Sequence, residues 1–460
     1  MTCFKFSFRN PMLMMVLALI MTSARCSNDD GITAPDAPPD QQSDDNTDDA
    51  PGDEPDGGAF TKVTSITPSG IEEGYFFGYD IGATSEFTAV SAPWHDEKGN
   101  RTGAVYIFRR NGPEFEGTAH VLTPENATTE DHFGWSVALS GTTLVIGAPE
   151  NDKNGENAGL AFIYEHTGNN QWGLVKELEA PSPQEGQEFG YAVAIEGETV
   201  VVGSRFDLDN YFDDGPISNG AGVAQGSVFI YGRSTDWEFA HKLVPLEDQG
   251  HRWDAFGTSL ALNGDYLAVG ARGASPLLYE QPGKVYLFEN QEGMWVQQAR
   301  LEASDGRDAD SFGSALDLEG NDLAITSPGS FNSLIPNNDV PHGAAYVFSR
   351  TGSDWVEDAK LTAADTKPED SFGGGDIVLQ NDFLIVGAPL KRVVTDYNGA
   401  AYFFSRAPGW PESHMITAPN PLNEDLFGSA LAATGDMIFV GAHRRCNETG
   451  CWAGALYFVQ

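Results

Sequence analysis

"FGWSVALSGTTLVIGAP", residues 133–149, sets two short apolar runs on either side of a tight turn at Gly141. Strand-forming residues in alternation, interrupted by a turn signal, read as a β-hairpin. The pattern recurs along the chain. An FG pair stands at Phe77-Gly78, Phe133-Gly134, Phe189-Gly190, Phe256-Gly257, Phe312-Gly313, Phe372-Gly373 and Phe427-Gly428. The following turns centre on Gly141, Gly197, Gly264, Gly320, Asn381 and Gly435, and the first copy, "DIGATSEFTAVSAP", has a looser one. The second strand ends in GAP or a near relative, as at Gly147-Ala148-Pro149 and Gly387-Ala388-Pro389. A repeat of this length decides the architecture before any domain is cut.

Working outward, a variable loop leads to a third strand with Gly three residues before an aromatic: Gly103/Tyr106, Gly159/Phe162, Gly226/Phe229, Gly283/Tyr286, Gly343/Tyr346, Gly399/Tyr402 and Gly454/Tyr457. A fourth strand places an aromatic six residues before an aliphatic, from Phe115/Val121 to Trp410/Ile416. Its seventh copy lies at the front of the chain, Phe60/Ile66. The expected fold is therefore all-β: a seven-bladed β-propeller with four antiparallel strands per blade, the N-terminal strand closing the last blade. Closure of that kind removes free sheet edges.

These residues carry a resemblance to the FG-GAP family: seven FG pairs, several GAP triplets and the Gly-x-x-aromatic strand. The chain resembles bacterial FG-GAP repeat proteins and is more distantly similar to the integrin α-chain propeller. The resemblance implies a propeller but not one function, because such scaffolds host many. In integrin-like repeats calcium sits in a DxDxDG-type loop between the first two strands. Here that connection is cut to a tight turn in most copies, which argues against calcium at that place.

Residues 1–26 have the order of an export signal: Lys5 and Arg9, an apolar run from Met12 to Met21, then small residues. Two cleavage readings stand, after Ala24 or before Cys26 with lipidation of that thiol. "SARC" departs from the usual lipoprotein pattern at Ser23 and Arg25. Residues 27–58 form an acidic Asp/Pro/Gln/Ser/Gly linker with eleven carboxylates and no Lys or Arg, a composition that cannot bury enough apolar surface to order itself. The propeller occupies residues 59–460. Cys446 and Cys451 share one loop and suit a disulfide contributing about 2 kcal/mol at most.

The formal net charge is −41. Without the signal and linker the excess of acidic over basic side chains is still roughly thirty, a balance suited to solubility, divalent cations or cationic partners. It argues against nucleic acid and anionic headgroups, whose phosphates need Lys and Arg. Membrane association is expected only through a lipid anchor at Cys26, and the propeller is expected to be monomeric.

Antiparallel strands put the loops after GAP and the loops before FG on one face, and all the long, unequal loops fall there. Binding concentrates on such loops. The candidate ligand-binding residues are Trp94, His95, Asp96, Tyr211, Arg444, Arg445 and Trp452. The long third loop adds Asp207, Asp209, Asp213 and Asp214, a carboxylate cluster for which calcium is the candidate cofactor. A solvated acidic loop is the competing reading, since Tyr211 interrupts the alternate carboxylates. Asp131, Asp254, Asp310, Asp370 and Asp425 stand two residues before an FG pair. They read either as carboxylates around the channel or as acceptors for turn N–H groups, and the second is favoured. Trp172, Trp237, Trp295 and Trp355 recur in register and read as packing between blades.

No HExxH, GxSxG or P-loop pattern occurs. The expected function is recognition of a protein or polysaccharide outside the cytoplasm, in adhesion or surface assembly. A carbohydrate-active enzyme, lyase or hydrolase, on the same face and a structural part of an envelope complex remain as alternatives.

Overall fold

The computed structural model describes residues 63–96, 101–112, 114–125, 128–169, 171–208, 225–246, 254–273, 282–307, 310–329, 343–394, 397–435, 437–446 and 451–459. The chain divides into Met1–Ala59 and Phe60–Gln460. The export signal, the linker and Cys26 lie outside the described residues, and all that follows concerns the second unit.

The alternating runs form seven separate four-stranded sheets. Blade 1 comprises Ile81–Ala83, Phe87–Ala92, Ala104–Asn111 and Glu114–Leu122; blade 2, Ser136–Ser140, Thr143–Ala148, Leu160–Gly168 and Gln171–Leu178; blade 3, Phe189–Glu196, Thr199–Ser204, Ser227–Gly232 and Glu238–Leu243. Blade 4 comprises Phe256–Asn263, Tyr266–Ala271, Lys284–Gln291 and Met294–Leu301; blade 5, Leu316–Glu319, Asp322–Ser327, Ala344–Thr351 and Asp354–Leu361; blade 6, Ile377–Gln380, Phe383–Ala388, Ala400–Ser405 and Glu412–Ile416. Blade 7 joins Leu431–Thr434, Met437–Ala442 and Ala455–Val459 to the chain's first strand, Val63–Ile66. Val63 pairs with Val459 and Ile66 with Leu456. The expected closure is present. The first strand of each blade packs against the first strands of both neighbouring blades, so these seven strands ring the axis.

In six blades the first two strands join through a two-residue turn, as the pairs Ser140/Thr143, Glu196/Thr199 and Gln380/Phe383 define. Such a turn has no room for a calcium loop, in agreement with the sequence.

Burial follows position in the blade. Second strands such as Phe87–Ala92 and Met437–Ala442 are buried at every residue, because neighbouring blades cover both faces. Outermost strands such as Met294–Leu301 alternate exposed and half-buried residues, having one face toward water. The core consists of layers between blades. One joins Phe87 and Val105 of blade 1 to Leu144 and Phe162 of blade 2, and another joins Ile81 of blade 1 to Met437 and Phe439 of blade 7. Trp172 packs edge-on against Phe87 of the preceding blade, and Trp355 meets Tyr266 in the same way. Both serve packing between blades.

The repeated motifs are parts of one joint. Every FG phenylalanine is fully buried and meets the aromatic of the Gly-x-x-aromatic strand of its own blade edge-on in most copies, with centroids 5.3 Å apart for Phe77/Tyr106 and 5.5 Å for Phe372/Tyr402. Burial of each such ring contributes on the order of 2–3 kcal/mol. The Gly of that third strand meets the FG phenylalanine of the next blade. At Gly103, φ is +88° and a Cβ would lie 2.1 Å from the Phe133 carbonyl oxygen, so only glycine fits. The GAP glycine has a matching constraint, since a Cβ on Gly147 would lie 2.0 Å from the Gly190 carbonyl oxygen.

Candidate functional site

The first strand of each blade is a sheet edge, and its outward N–H and C=O groups face the central channel, where they need partners. Asp80 accepts from its neighbour Ile81 N–H at 2.8 Å and from Val137 N–H of blade 2 at 2.7 Å. Asp376 accepts from Ile377 N–H at 2.8 Å and from Leu431 N–H of blade 7 at 3.4 Å. Asp317 accepts from Leu318 N–H at 2.9 Å and from Leu379 N–H of blade 6 at 2.7 Å. Ser136 and Ser259 make the complementary tie, each donating to the FG glycine carbonyl of the next blade.

These carboxyls lie deep in the molecule yet keep some accessible surface, because they line an open channel of about 540 Å³. Burial pushes Asp80 and Asp317 up to about 6, against the pull of their backbone N–H donors. Asp376 is pushed up to about 8, by burial first and then by the nearby charges of Asp80 and Asp317.

At the loop-face end stands a continuous seam of rings. Tyr79 lies 5.2 Å from both Trp94 and Trp135, and Trp135 lies 5.6 Å from Tyr191. The Arg205 guanidinium covers Tyr191 at 3.8 Å and bonds Glu188 at 2.6 Å. On the other side Phe76 touches Trp94, His443 and Trp452, and Arg444 lies over Trp452 at 5.8 Å. His443 hydrogen-bonds Ser429 at 2.8 Å; burial first, then Arg444, pushes its imidazole down to about 3, so it is neutral at physiological pH. Burial also holds the Tyr79 hydroxyl well above the ordinary range.

The backbone places these side chains through a repeated strained turn. The residue just before each FG pair has a left-handed conformation in all seven copies: Phe76, His132, Glu188, Ala255, Ser311, Ser371 and Leu426, with φ between 52° and 58°. None is β-branched, in keeping with the steric limits of that region. The turn leads into the buried FG phenylalanine in every blade.

The structure divides the expected ligand-binding residues. Trp94, Trp452 and Arg444 belong to the seam. His95 turns inward, 5 % exposed, against Tyr75 and Tyr106. Arg445 turns to Asp425 at 2.5 Å and to the Asn420 carbonyl. Both hold the loop rather than present a side chain, because the second residue after GAP points to the turn before FG. Asp96 is exposed. Tyr211, Asp209, Asp213 and Asp214 lie outside the described residues. Asp207 is buried and paired with Lys242 at 3.0 Å. No group of three potential metal ligands occurs among the described residues. Cys446 and Cys451 are joined in a disulfide.

Four of the five carboxylates before FG do what the favoured reading assigns them, and Asp254 stands 3.9 Å from the Lys284 ammonium. Asp131, Asp310, Asp370 and Asp425 accept the N–H three residues upstream, and Asp370 and Asp425 also bind Lys391 and Arg445. The channel carboxyls are other residues. Asp80 and Asp376 occupy equivalent positions, but an extra glycine in "FGGGD" offsets the second in sequence. Tyr79, Trp135 and Tyr191 all stand two residues after an FG phenylalanine, a register signal that the sequence does contain.

The family model described as FG-GAP repeat matches residues 60–108, 118–164, 172–231, 237–288, 295–348 and 355–404. The first match runs from the closing strand of blade 7 through three strands of blade 1, so the sequence unit straddles two blades. A search of curated proteins finds no match.

Proposed function

The chain belongs to the FG-GAP repeat family, and from that premise we propose that it is an extracytoplasmic binding module whose loop face recognises a protein or polysaccharide in adhesion or surface assembly. The fold is a binding scaffold. The observation that carries the finer reading is the seam from Tyr191 through Trp135, Tyr79 and Trp94 to Phe76 and Trp452, partly exposed around a channel mouth. Rings that the core does not need, set around a concavity, suit ligand contact. The export signal supports an extracytoplasmic site of action. Cleavage after Ala24 makes the protein soluble, and lipidation of Cys26 anchors it.

A carbohydrate-active enzyme on the same face is the second reading, supported by the raised carboxyl of Asp376 in the same channel. Glycan and protein arrays probed with wild type and with Trp94→Ala test both. Binding lost in the variant at unchanged melting temperature supports the module. Equal binding by the two proteins sinks it, and bond cleavage in the bound glycan moves the assignment to the enzyme.

A further inference from the structure

We propose that the channel mouth is a one-sided pocket for the end of an amine-bearing polysaccharide, the blade 1–3 rings taking the sugar's C–H face and the channel taking its ammonium group. This rests on the polysaccharide branch of the reading above.

The position two residues after the FG phenylalanine lines the channel in every blade. In blades 4 to 7 it is Thr258, Ser314, Gly374 or Ser429, so a small residue satisfies the fold. In blades 1 to 3 it is Tyr79, Trp135 or Tyr191. The sevenfold pattern is thus broken by three consecutive large rings, and packing of the blades does not require them.

The opposite wall offers acceptors. The Thr258 hydroxyl donates to the Ala255 carbonyl at 2.6 Å and the Ser314 hydroxyl to the Ser311 carbonyl at 2.7 Å, so their protons are committed and lone pairs remain. The channel is also lined by Asp80 on the ring side and by Asp317 and Asp376 on blades 5 and 6, whose oxygens accept backbone N–H bonds and retain further acceptor capacity. An ammonium group has three donors and no acceptor, and it is attracted to ring faces. Arg205, seated on Tyr191, already uses one such face. Arg205, held by Glu188 on blade 3, and Arg444, over Trp452 on blade 7, stand in the ring seam, and blades 5 and 6 contribute Asp317 and Asp376 to the channel. The acidic excess of the whole chain steers a cationic chain to the surface.

Calorimetric titration of the full mature protein with glucosamine oligomers, their N-acetylated forms and glucose oligomers of equal length tests this. The free-amine oligomer is expected to bind at least tenfold tighter than either control at neutral pH, with Trp135→Ala and Asp317→Asn each costing tenfold or more. If Trp135→Ala misfolds, Trp135→Leu must cost the same tenfold, and added salt must weaken the free-amine oligomer alone. Equal affinities for the three oligomers, or no binding by any, overturn the proposal. Binding of a different glycan or a protein that Trp94→Ala abolishes leaves the loop-face reading standing without it.

Discussion

Phe77 and Gly454, near opposite ends of the propeller sequence, form an isolated parallel bridge, with Phe77 N–H donating to the carbonyl of Ala453, next to Gly454, at 3.0 Å. The same joint links Gly103 to Phe133 and Gly399 to Phe427. Ring closure therefore uses the contact that joins consecutive blades, with Val63–Ile66 added outside it.

A Cβ on Gly454 would lie 2.0 Å from the Phe77 carbonyl oxygen, whereas Gly141, also at positive φ, has open space around it. Gly454→Ala is expected to cost more than about 3 kcal/mol and Gly141→Ala about 1 kcal/mol. Deleting the chain through Ile66 should destabilise at least as much as Gly454→Ala, while deleting only residues 27–58 should not. Thermal melts measure all four, and a first-strand deletion that melts with wild type contradicts the closure.

The channel carboxyls give a pH dependence of definite sign. Asp80, Asp317 and Asp376 sit at about 6, 6 and 8 against an ordinary 3.8, so the folded state holds protons that the unfolded chain releases. Their favourable contribution is full below about 3.8 and is lost as pH rises from there through 6 to 8. Asp305 and Asp365 are shifted downward and act oppositely, so the difference between Asp376→Asn and wild type isolates the effect. The variant is expected to gain on the order of 1–3 kcal/mol over wild type between pH 5 and pH 9. A difference independent of pH contradicts this.

Arg445→Met tests whether that arginine is structural. Asp425 is fully buried against it, and removing one partner of such a pair costs about 3–5 kcal/mol. Lys360→Met, in an exposed pair with Asp305, should cost less than about 1 kcal/mol. Urea denaturation ranks the two, and equal small losses would return Arg445 to the ligand-binding set.

Asp207→Asn is expected to lower the melting temperature equally with calcium and with chelator, because its partner is Lys242. A calcium-dependent rise in wild type that the variant abolishes would instead join Asp207 to a cation site with the rest of its loop.

Blade number, strand order and offset closure were legible because they are local facts repeated seven times: an FG pair, a turn, a Gly-x-x-aromatic strand and a displaced first copy of the outer strand. The acids before FG were legible too, since their acceptor role lies within three residues. The rest arises from contacts between repeats. The extra residue in "FGGGD" hides the equivalence of Asp80 and Asp376, and Asp317 sits two positions further along its strand. His95 and Arg445 share loops with Trp94 and Trp452 yet turn inward, since their neighbours in the turn before FG decide side-chain direction.

The sequence by itself determined a seven-bladed ring closed by its own first strand, because hydrophobic period, turn chemistry and spacing act over a few residues and then simply recur. The tertiary structure alone decided which side chains share the mouth. Wrapping seven copies around one axis brings Tyr79, Trp135, Tyr191 and His443 together from four blades, and their distances depend on the curvature of the ring rather than on any run of sequence.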